Sequence, residues 1–314
     1  MMNLEQEYEL FRKICKYKSI EADQKIYSDM QKLIKKGFQV HLKNNHYILT
    51  KDFSVLSADK IRSGLNSKSN SLINRFDVIF ETGSTNKTIV SQQSDSNYTV
   101  LLSESQTDGS GRRQKKWVSP LGENIYCSIK FQIENSNNIH FIPLLTAVSI
   151  CKSLQKIGIP DCQIKWPNDL YLEDKKFGGI LVESRYNIDL GHTIIVGIGL
   201  NINMDSNHEE IDQSWTSLFK HSNTIFDRNI IVSMILSDLI EKFEHISELK
   251  KKQFMLDWKP LDYLNGREIT IIEANSSYSA ISLGISDDGA LLIEHEQNKK
   301  KIYSADVSVK ALDQ

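Results

Sequence analysis

Cysteine is scarce in this sequence, and its few cysteines are not arranged in pairs. Cys15, Cys127, Cys151 and Cys162 are scattered, and no C-x-x-C motif is present, so reduced thiols are predicted rather than disulfides or a zinc site. A basic and apolar N-terminal segment is also absent. The longest mostly apolar run, FIPLLTAVSIC, is too short to cross a bilayer. These absences predict a cytoplasmic protein without a membrane partner.

An excess of one charge is absent as well. The chain has 38 basic and 40 acidic residues, for a formal net charge of −2. Attraction of the whole chain to nucleic acid or to an anionic membrane is therefore excluded, and a charged partner would have to meet a local patch. The length of 314 residues predicts two or three domains with at least one sizeable core.

The first segment, residues 1–64, is predicted to be a small winged-helix-like domain. Apolar residues recur at helical spacing from Glu5 to Lys18 and from Asp23 to Lys36, and FQVHL and HYILT predict a hairpin. Only four residues separate the two helices, whereas a winged helix-turn-helix needs a further helix there. The domain is therefore predicted to be shortened and degenerate. A linker, SGLNSKSNS, is expected to follow it.

The remaining chain changes character once more. Residues 65–263 mix predicted strands, such as YTVLLSE, NIYCSIKFQI, CQIKW, FGGILVES and HTIIVGIGLNI, with helical periodicity at 139–157 and 227–254, which indicates an α+β domain. Residues 264–314 consist of short alternating strands separated by turn residues. That pattern is typical of a small SH3-like β-barrel.

A basic, glycine-containing stretch, SESQTDGSGRRQKKWVSP, is the first candidate ligand site. Gly109 and Gly111 allow the backbone to approach a ligand closely, while Arg112, Arg113 and the following lysines suit phosphate or carboxylate oxygens. The stretch does not have the Walker pattern of a P-loop. A solvated basic loop without a ligand is an equally good interpretation of this stretch alone.

Two further stretches favour the ligand site. IKWPNDLYLEDKKFGGILVESR places Lys165, Asn168, Asp169 and Lys176 around a turn between strands, and IIVGIGLNINM ends an apolar strand with two glycines and Asn201. Basic and amide groups of this kind, gathered near glycines, could bind an anionic small molecule. The tryptophans Trp117 and Trp166 are more simply interpreted as core residues near the site.

Taken in order, ETGSTN, SESQTDGSGRRQKKWVSPLGENIYCSI, KWPNDLYLEDKKFGGILVE and VGIGLNIN resemble the biotin protein ligases, in particular the bacterial type that joins a winged-helix repressor domain to a ligase domain and a small C-terminal β-domain. The resemblance covers nearly the whole chain. It implies a central mixed-sheet catalytic domain of the biotin and lipoate ligase type. It also implies that ATP and biotin react to biotinyl-AMP and pyrophosphate, with Mg²⁺, before biotin passes to a lysine of the biotin carboxyl carrier protein of acetyl-CoA carboxylase.

The resemblance also implies roles for individual residues. Arg112 and Lys176 would be catalytic and would contact both substrates. The biotin-binding residues would be Ser84, Thr85, Asn86, Gln106, Ser110, Gly111, Arg112 and Lys176. The nucleotide-binding residues would be Arg112, Arg113, Asn168, Asp169, Asn201 and Trp215, with Asp169 also binding Mg²⁺. The loops 106–117 and 205–214 are expected to close over the labile adenylate.

The chain departs from the family pattern at Ser110, where the common G-R-G-R-R-G-R has an arginine. Weaker ligand affinity with retained activity is expected from the missing cation. A biotin-sensing DNA-binding repressor and a lipoate- or octanoate-attaching enzyme remain alternative functions. The shortened first domain predicts weak DNA binding, and a homodimer is possible because ligases of this type often pair through their sheets.

Overall fold

The computed structural model describes residues 4–92, 97–134, 138–188, 191–206, 210–272, 277–303 and 308–311. These residues form three β-sheets, of three, seven and five strands, which follow one another along the chain. No helix in this described part combines the length and the apolar character needed to cross a membrane.

The first sheet belongs to a small N-terminal unit. Its elements are α1 (Leu4–Tyr17), β1 (Ser19–Glu21), α2 (Gln24–Lys35), β2 (Val40–Lys43) and β3 (His46–Leu49), with the antiparallel strand order β1-β3-β2. Asp23 caps α2 by accepting from the Lys25 backbone at 3.0 Å, as N-terminal capping residues do. Both predicted helices and the hairpin are confirmed. The short strand β1, which was not predicted, lies between the two helices in the chain and pairs with β3.

The predicted linker at residues 63–71 is wrong, because this stretch lies within and between two short helices, α3 (Ala58–Gly64) and α4 (Ser67–Leu72). Asn66 starts α4 as its N-cap, with its side chain accepting from the Ser69 backbone at 2.7 Å. Ser69 is fully buried and donates to the Ser237 carbonyl at 3.0 Å. Serine and asparagine here serve as caps and tertiary contacts, which composition alone does not distinguish from a linker.

The central sheet is mixed, as predicted. Its chain order is β4 (Ile73–Thr82), α5 (Thr85–Val90), β5 (Tyr98–Gln106), β6 (Ile125–Ile133), α6 (Ile142–Gln155), β7 (Gln163–Lys165), β8 (Asp169–Leu172), β9 (Lys175–Asn187), β10 (Gly191–Leu200), α7 (Leu218–Ser222), α8 (Arg228–Glu244) and α9 (Lys251–Trp258). The strand order is β4-β5-β6-β10-β9-β8-β7. Only β4 and β5 pair in parallel among these described strands. Strands β4 and β8 were missed by the sequence analysis.

Both faces of this sheet are buried at its centre. Val100 and Leu102 face the large core with α6 and α8, whereas Leu101 faces a small cluster under α5, as expected for alternate residues of a strand. The helix predicted over 227–254 is two helices, α8 and α9, separated by a short 3-10 turn at Ile246–Glu248. His245 ends α8 and lets Ile246 turn back into the core.

The C-terminal sheet is antiparallel. Its strands are β11 (Glu268–Ile272), β12 (Ser277–Ile285), β13 (Leu291–His295), β14 (Asn298–Ile302) and β15 (Ser308–Ala311), in the order β14-β13-β12-β11-β15. Four of these strands were predicted, and β15 was not. The sheet shares the core of the central unit through Ile269 and Leu291, and the Trp166 indole donates to the Gly289 carbonyl at 3.0 Å. The buried Trp166 therefore confirms its predicted core role.

The prediction of four reduced cysteines is wrong for one pair. Cys151 of α6 and Cys162, which precedes β7, form a disulfide, while Cys15 and Cys127 are free and buried. The two paired cysteines are 11 residues apart and their Cα atoms are 5.4 Å apart, within the range that disulfides span. The return of the chain from α6 to the sheet brings them together, which a spacing rule for C-x-x-C does not detect.

Candidate functional site

The predicted site residues gather at one edge of the central sheet. The carboxyl ends of β4, β5 and β10 meet there with the amino ends of β6 and β9, because Leu200 lies opposite both Ile125 and Gly178 in the sheet register. The loops that follow or precede these strand ends carry the three motifs of the sequence analysis. The edge is therefore where ligand-binding side chains from distant parts of the chain can act together.

The first part of the site is the turn into α5. Ser84 and Thr85 are buried at the helix start. The carboxamide oxygen of Gln106 accepts from the Thr85 backbone at 2.9 Å and from the Thr85 hydroxyl at 3.2 Å. The Gln106 nitrogen donates to the Ser119 hydroxyl at 3.0 Å. The structure thus brings Thr85 and Gln106 together and fixes the orientation of the Gln106 amide.

Asn86 is the most completely held residue of this part. Its amide nitrogen donates to Glu183 Oε2 at 2.8 Å, and its amide oxygen accepts from the Ser128 hydroxyl at 2.6 Å. A Cβ atom on Gly197 would lie 2.4 Å from Asn86 Oδ1, so only glycine leaves room for this amide. Glu183 and Ser128 were missed by the sequence analysis. Their only sequence signal is their position on predicted strands.

The glycine loop folds back on itself. The Gly111 backbone donates to the Lys115 carbonyl at 2.8 Å, and the Trp117 backbone donates to the Gly109 carbonyl at 2.8 Å. Arg113 and Gln114 occupy the left-handed region, with φ values of 55° and 59°. The backbone N–H of Gly111, one of the residues predicted to bind biotin, is thus engaged inside the loop in this conformation.

Two cations of the site are held by consecutive residues. Arg112 Nη1 donates to Asn168 Oδ1 at 3.2 Å, and Lys176 Nζ lies 2.9 Å from Asp169 Oδ1. Asn168 is fixed in turn because its amide nitrogen donates to the Ile180 carbonyl at 2.9 Å. Burial lowers the pKa of Arg112 from its ordinary value, Asp169 opposes that shift, and Arg113 adds to it. Arg112 and Lys176 therefore converge on one short turn.

Lys176 also connects this turn to Trp117 and to the segment that carries Trp215. Its ammonium lies 5.7 Å from the centre of the Trp117 ring, within cation–π range. Its backbone carbonyl accepts from Thr216 at 3.0 Å, which places Trp215 alongside it. The Trp215 ring is covered on one side by the Lys220 ammonium at 3.7 Å. Trp215 is thus near the other predicted nucleotide-binding residues.

Asn201 is buried beside this tryptophan. Its amide nitrogen donates to the Thr216 carbonyl at 3.1 Å, and its amide oxygen accepts from Asn124 at 3.4 Å. A small cavity of ≈ 40 Å³ lies between the glycine loop and the 210–215 segment, and its lining includes Trp117, Lys176, Asn201 and Trp215. Trp117 Nε1 is buried there and has no hydrogen-bond partner within the described part of the chain. Trp117 therefore lines the site, where the sequence analysis favoured a core role.

The two predicted closing loops contact each other across this cavity. Lys116 of the glycine loop forms an ion pair with Glu210 of the second loop. Residues 207–209 of the second loop lie outside the described residues. The described parts of the two loops thus meet beside Trp117, Lys176 and Trp215.

A metal ion would have one carboxylate available at this edge. Among the described residues, no group of three or more His, Cys, Asp and Glu side chains is placed to hold a metal. Asp169 is next to the two cations that suit phosphate oxygens. Mg²⁺ commonly binds through one or two carboxylates together with substrate phosphates and waters. The residues present therefore fit an ion that arrives with a nucleotide, and they do not fit a cage made by the protein alone.

Family models match two parts of the chain. Residues 76–201 match the biotin/lipoate A/B protein ligase family, and residues 265–310 match the biotin protein ligase C terminal domain. The first match runs from within β4 to Asn201, just after β10, and ends before the segment that carries Trp215. The second covers most of the C-terminal sheet.

Individual proteins give the same result. The bifunctional ligase/repressor BirA of Salmonella typhimurium is 30% identical over 270 residues, which are 85% of this chain and 82% of that protein. The biotin--[acetyl-CoA-carboxylase] ligase of Mycobacterium tuberculosis is 25% identical over 229 residues, which are 70% of this chain and 83% of that protein. The biotin protein ligase from Aquifex aeolicus in complex with biotin and ATP has a TM-score of 0.68 at 27% identity, and the match covers 76% of this chain and 100% of that one.

Proposed function

The chain belongs to the biotin protein ligase family and is an ATP-dependent biotin ligase, and from this premise we propose which of its residues carry out the two steps. In the first step, a carboxylate oxygen of biotin attacks the α-phosphorus of ATP, pyrophosphate leaves, and biotinyl-AMP forms. In the second step, the neutral amine of a carrier-protein lysine attacks the acyl carbon, the bond from that carbon to the AMP oxygen breaks, and the surplus amine proton passes to water. Both steps develop charge on oxygen atoms rather than requiring a strong base.

The convergence of Arg112 and Lys176 on Asn168 and Asp169 carries this proposal. Two cations fixed by consecutive residues give a preorganised positive site for the carboxylate and the α-phosphate. Because these cations are already in place, little reorganisation is needed when the transition state forms. We assign Arg112 to the carboxylate and α-phosphate. Lys176, which can exchange its contact with Asp169 for a phosphate oxygen, is assigned to the transition-state charge.

The two substrates are assigned to the two ends of this cationic turn. Ser84, Thr85, Asn86 and Gln106 present polar groups near the start of α5 and would hold the ureido head of biotin, with Ser110 and Gly111 next to its carboxylate. Arg113, Asn201 and Trp215 would bind the nucleotide, with the Trp215 ring against the adenine. Mg²⁺, bound through Asp169 and the phosphates, would neutralise phosphate charge.

The acceptor is proposed to be the biotin carboxyl carrier protein of acetyl-CoA carboxylase, because one relative of this chain is named a biotin--[acetyl-CoA-carboxylase] ligase. A homodimer and a cytoplasmic location are further parts of the proposal. We also propose domain boundaries after residues 64 and 263, with the C-terminal sheet closing as an SH3-like barrel.

A second candidate function is DNA binding by the N-terminal unit, because its two helices and three-stranded sheet are compatible with the shortened winged helix that the sequence predicts. Lys32 and Lys36 could contact DNA phosphates, but both are engaged within the protein. Lys36 Nζ lies 2.7 Å from Glu7 Oε2 and 3.1 Å from Glu81 Oε2, and Lys32 Nζ lies 2.8 Å from Asp29. We therefore propose that operator binding is weak. A tight, sequence-specific gel shift on biotin-operon DNA with biotinyl-AMP would contradict this.

Pyrophosphate exchange into ATP tests the ligase assignment directly. The rate of exchange by the purified protein with Mg²⁺ is measured with biotin, with lipoate and with octanoate, and the three rates are compared. We expect exchange that requires biotin and is lost in the Lys176→Ala variant. Exchange with lipoate or octanoate but not with biotin would instead support the lipoate-attaching alternative.

A further inference from the structure

Lys51 is a buried cation outside the residues assigned above. It lies between β3 and α3, where the N-terminal unit joins the central unit, and its side chain is only 9% exposed. Its ammonium lies 2.9 Å from Glu123 Oε1, 2.6 Å from the Asn203 carbonyl and 3.0 Å from Asp205 Oδ1. Two of its three protons are therefore donated in hydrogen bonds, to Glu123 and to the Asn203 carbonyl, while the contact with Asp205 is an ion pair without a hydrogen bond.

The three oxygens that contact Lys51 belong to two segments, and both segments reach Asn201, which is assigned to the nucleotide. Glu123 precedes Asn124, whose side chain donates to Asn201. Asn203 and Asp205 follow Asn201 in the chain, and the Asn203 backbone donates to the Glu123 carbonyl at 2.9 Å. Lys51 therefore joins the segment before β6 to the segment after β10, close to the residue assigned to the nucleotide.

Removal of this cation would leave Glu123 and Asp205 without the cation that contacts both of them. The Glu123 side chain is 3% exposed, and its second oxygen has no hydrogen-bond partner among the residues that the structure describes. Burial raises the pKa of Glu123, Lys51 opposes that shift, and Asp205 adds to it. An unpaired buried carboxylate is costly. Because Asp205 is the more exposed of the two acids, its segment is the part that can move away.

We propose that Lys51 is a positioning residue for ATP. Lys51 holds residues 201–206 in the position in which Asn201, together with the later segment that carries Trp215, binds the nucleotide. This inference rests on the proposed function. Lys51 touches neither substrate in it and acts through Asp205 and Asn203. It also gives the N-terminal unit a role in the ligase reaction that does not require DNA.

The test compares Lys51→Met and Lys51→Arg with the matched control Lys18→Met. Lys18 lies in the same unit and pairs with Asp52, but both side chains are more than half exposed. In pyrophosphate exchange we expect Lys51→Met to raise the KM for ATP on the order of tenfold with little change in the KM for biotin. Lys51→Arg, which keeps donors for the same acceptors, should recover part of that loss, and the control should match the unaltered protein.

A milder variant covers the case in which Lys51→Met does not fold. Asp205→Asn keeps the Lys51–Glu123 pair, and the Asp205 side chain that it replaces is 35% exposed. We expect it to raise the KM for ATP by a smaller factor. Equal rises in the KM for ATP and for biotin in these variants would overturn the proposal, because they would indicate a general structural role.

Amide hydrogen exchange decides the same question without activity. We expect residues 201–206 to exchange faster in Lys51→Met than in Lys18→Met, with residues 84–90 unchanged in both. Unchanged exchange at 201–206 would overturn the positioning role, whatever the kinetics show. If the unaltered protein fails to exchange pyrophosphate with biotin, the proposed function fails, while the amide exchange still tests the role of Lys51.

Discussion

Lys176 Nζ lies 2.9 Å from Asp169 Oδ1, and both side chains are more than two-thirds buried. The same residue, Asp169, follows Asn168, which holds Arg112. The ion pair thus orients Lys176 toward the other cation of the site before any substrate binds. The cation that we propose to be catalytic is therefore preorganised by the carboxylate that we propose to bind Mg²⁺.

Replacement of Lys176 by alanine should abolish most of the adenylation activity. Loss of one preorganised charge at a phosphoryl-transfer site should lower kcat for pyrophosphate exchange by about 10²–10³-fold. Lys175→Ala serves as the control, because Lys175 is the exposed neighbour in the same strand. Equal kcat values for the two variants would rule out the assignment of Lys176.

Replacement of Gly197 by alanine should weaken biotin binding. The new Cβ would lie 2.4 Å from Asn86 Oδ1 and would displace the amide from Glu183 and Ser128. We expect the KM for biotin to rise about tenfold or more, as for the loss of a buried hydrogen-bonding group, with a smaller effect on the KM for ATP. Steady-state pyrophosphate exchange measures both constants.

A double-mutant cycle tests whether this effect passes through Asn86. On the Asn86→Ala background, Gly197→Ala should add little, because the clashing group is already gone. Additive losses in the double variant would mean that Gly197 acts through some other contact.

Replacement of Ser110 by arginine should strengthen biotin binding. The substitution restores the cation of the family pattern beside a predicted carboxylate contact. Because the position is partly exposed, the affinity should rise only about twofold to fivefold, measured by calorimetric titration with biotin. Ser110→Gln, which adds length without charge, should leave the affinity unchanged. Affinity that does not change in Ser110→Arg would show that the missing cation has no effect.

Replacement of Arg228 by methionine should strongly destabilise the protein. Arg228 and Glu104 form an ion pair of 2.7 Å in which both side chains are 0% exposed, and Arg228 also donates to the Ser54 and Asn124 carbonyls. Loss of one partner should lower the free energy of unfolding by about 3–5 kcal/mol, measured by urea unfolding.

Two comparisons make this prediction specific. Arg75→Met removes the partly exposed pair with Asp77, and it should cost no more than about 1 kcal/mol. The double variant Arg228→Met with Glu104→Gln should be more stable than Arg228→Met alone, because no charge is left unpaired. A double variant that is less stable than the single one would contradict the argument from buried charge.

The sequence was a good guide to the regular elements that have strong periodicity. β5 and β10 are apolar runs bounded by turn residues, and they became central strands. It was a poor guide where side-chain contacts decide structure. The serines and asparagines of 63–71 predict a linker by composition, yet Asn66 caps a helix and Ser69 is buried. Strand β8 was missed because its four residues are too short for a clear pattern.

By itself, the sequence determined which residue types were available at the site: the glycines, the basic pairs and the amides that resemble a biotin ligase. Only the tertiary structure decided how they are combined. Asn86 meets Glu183 across 97 residues, Arg112 meets Asn168 across 56, and Lys51 meets Glu123 across 72. Local propensity acts over a few neighbouring residues, whereas these pairs depend on the order and register of the strands, which the packing of the whole sheet determines.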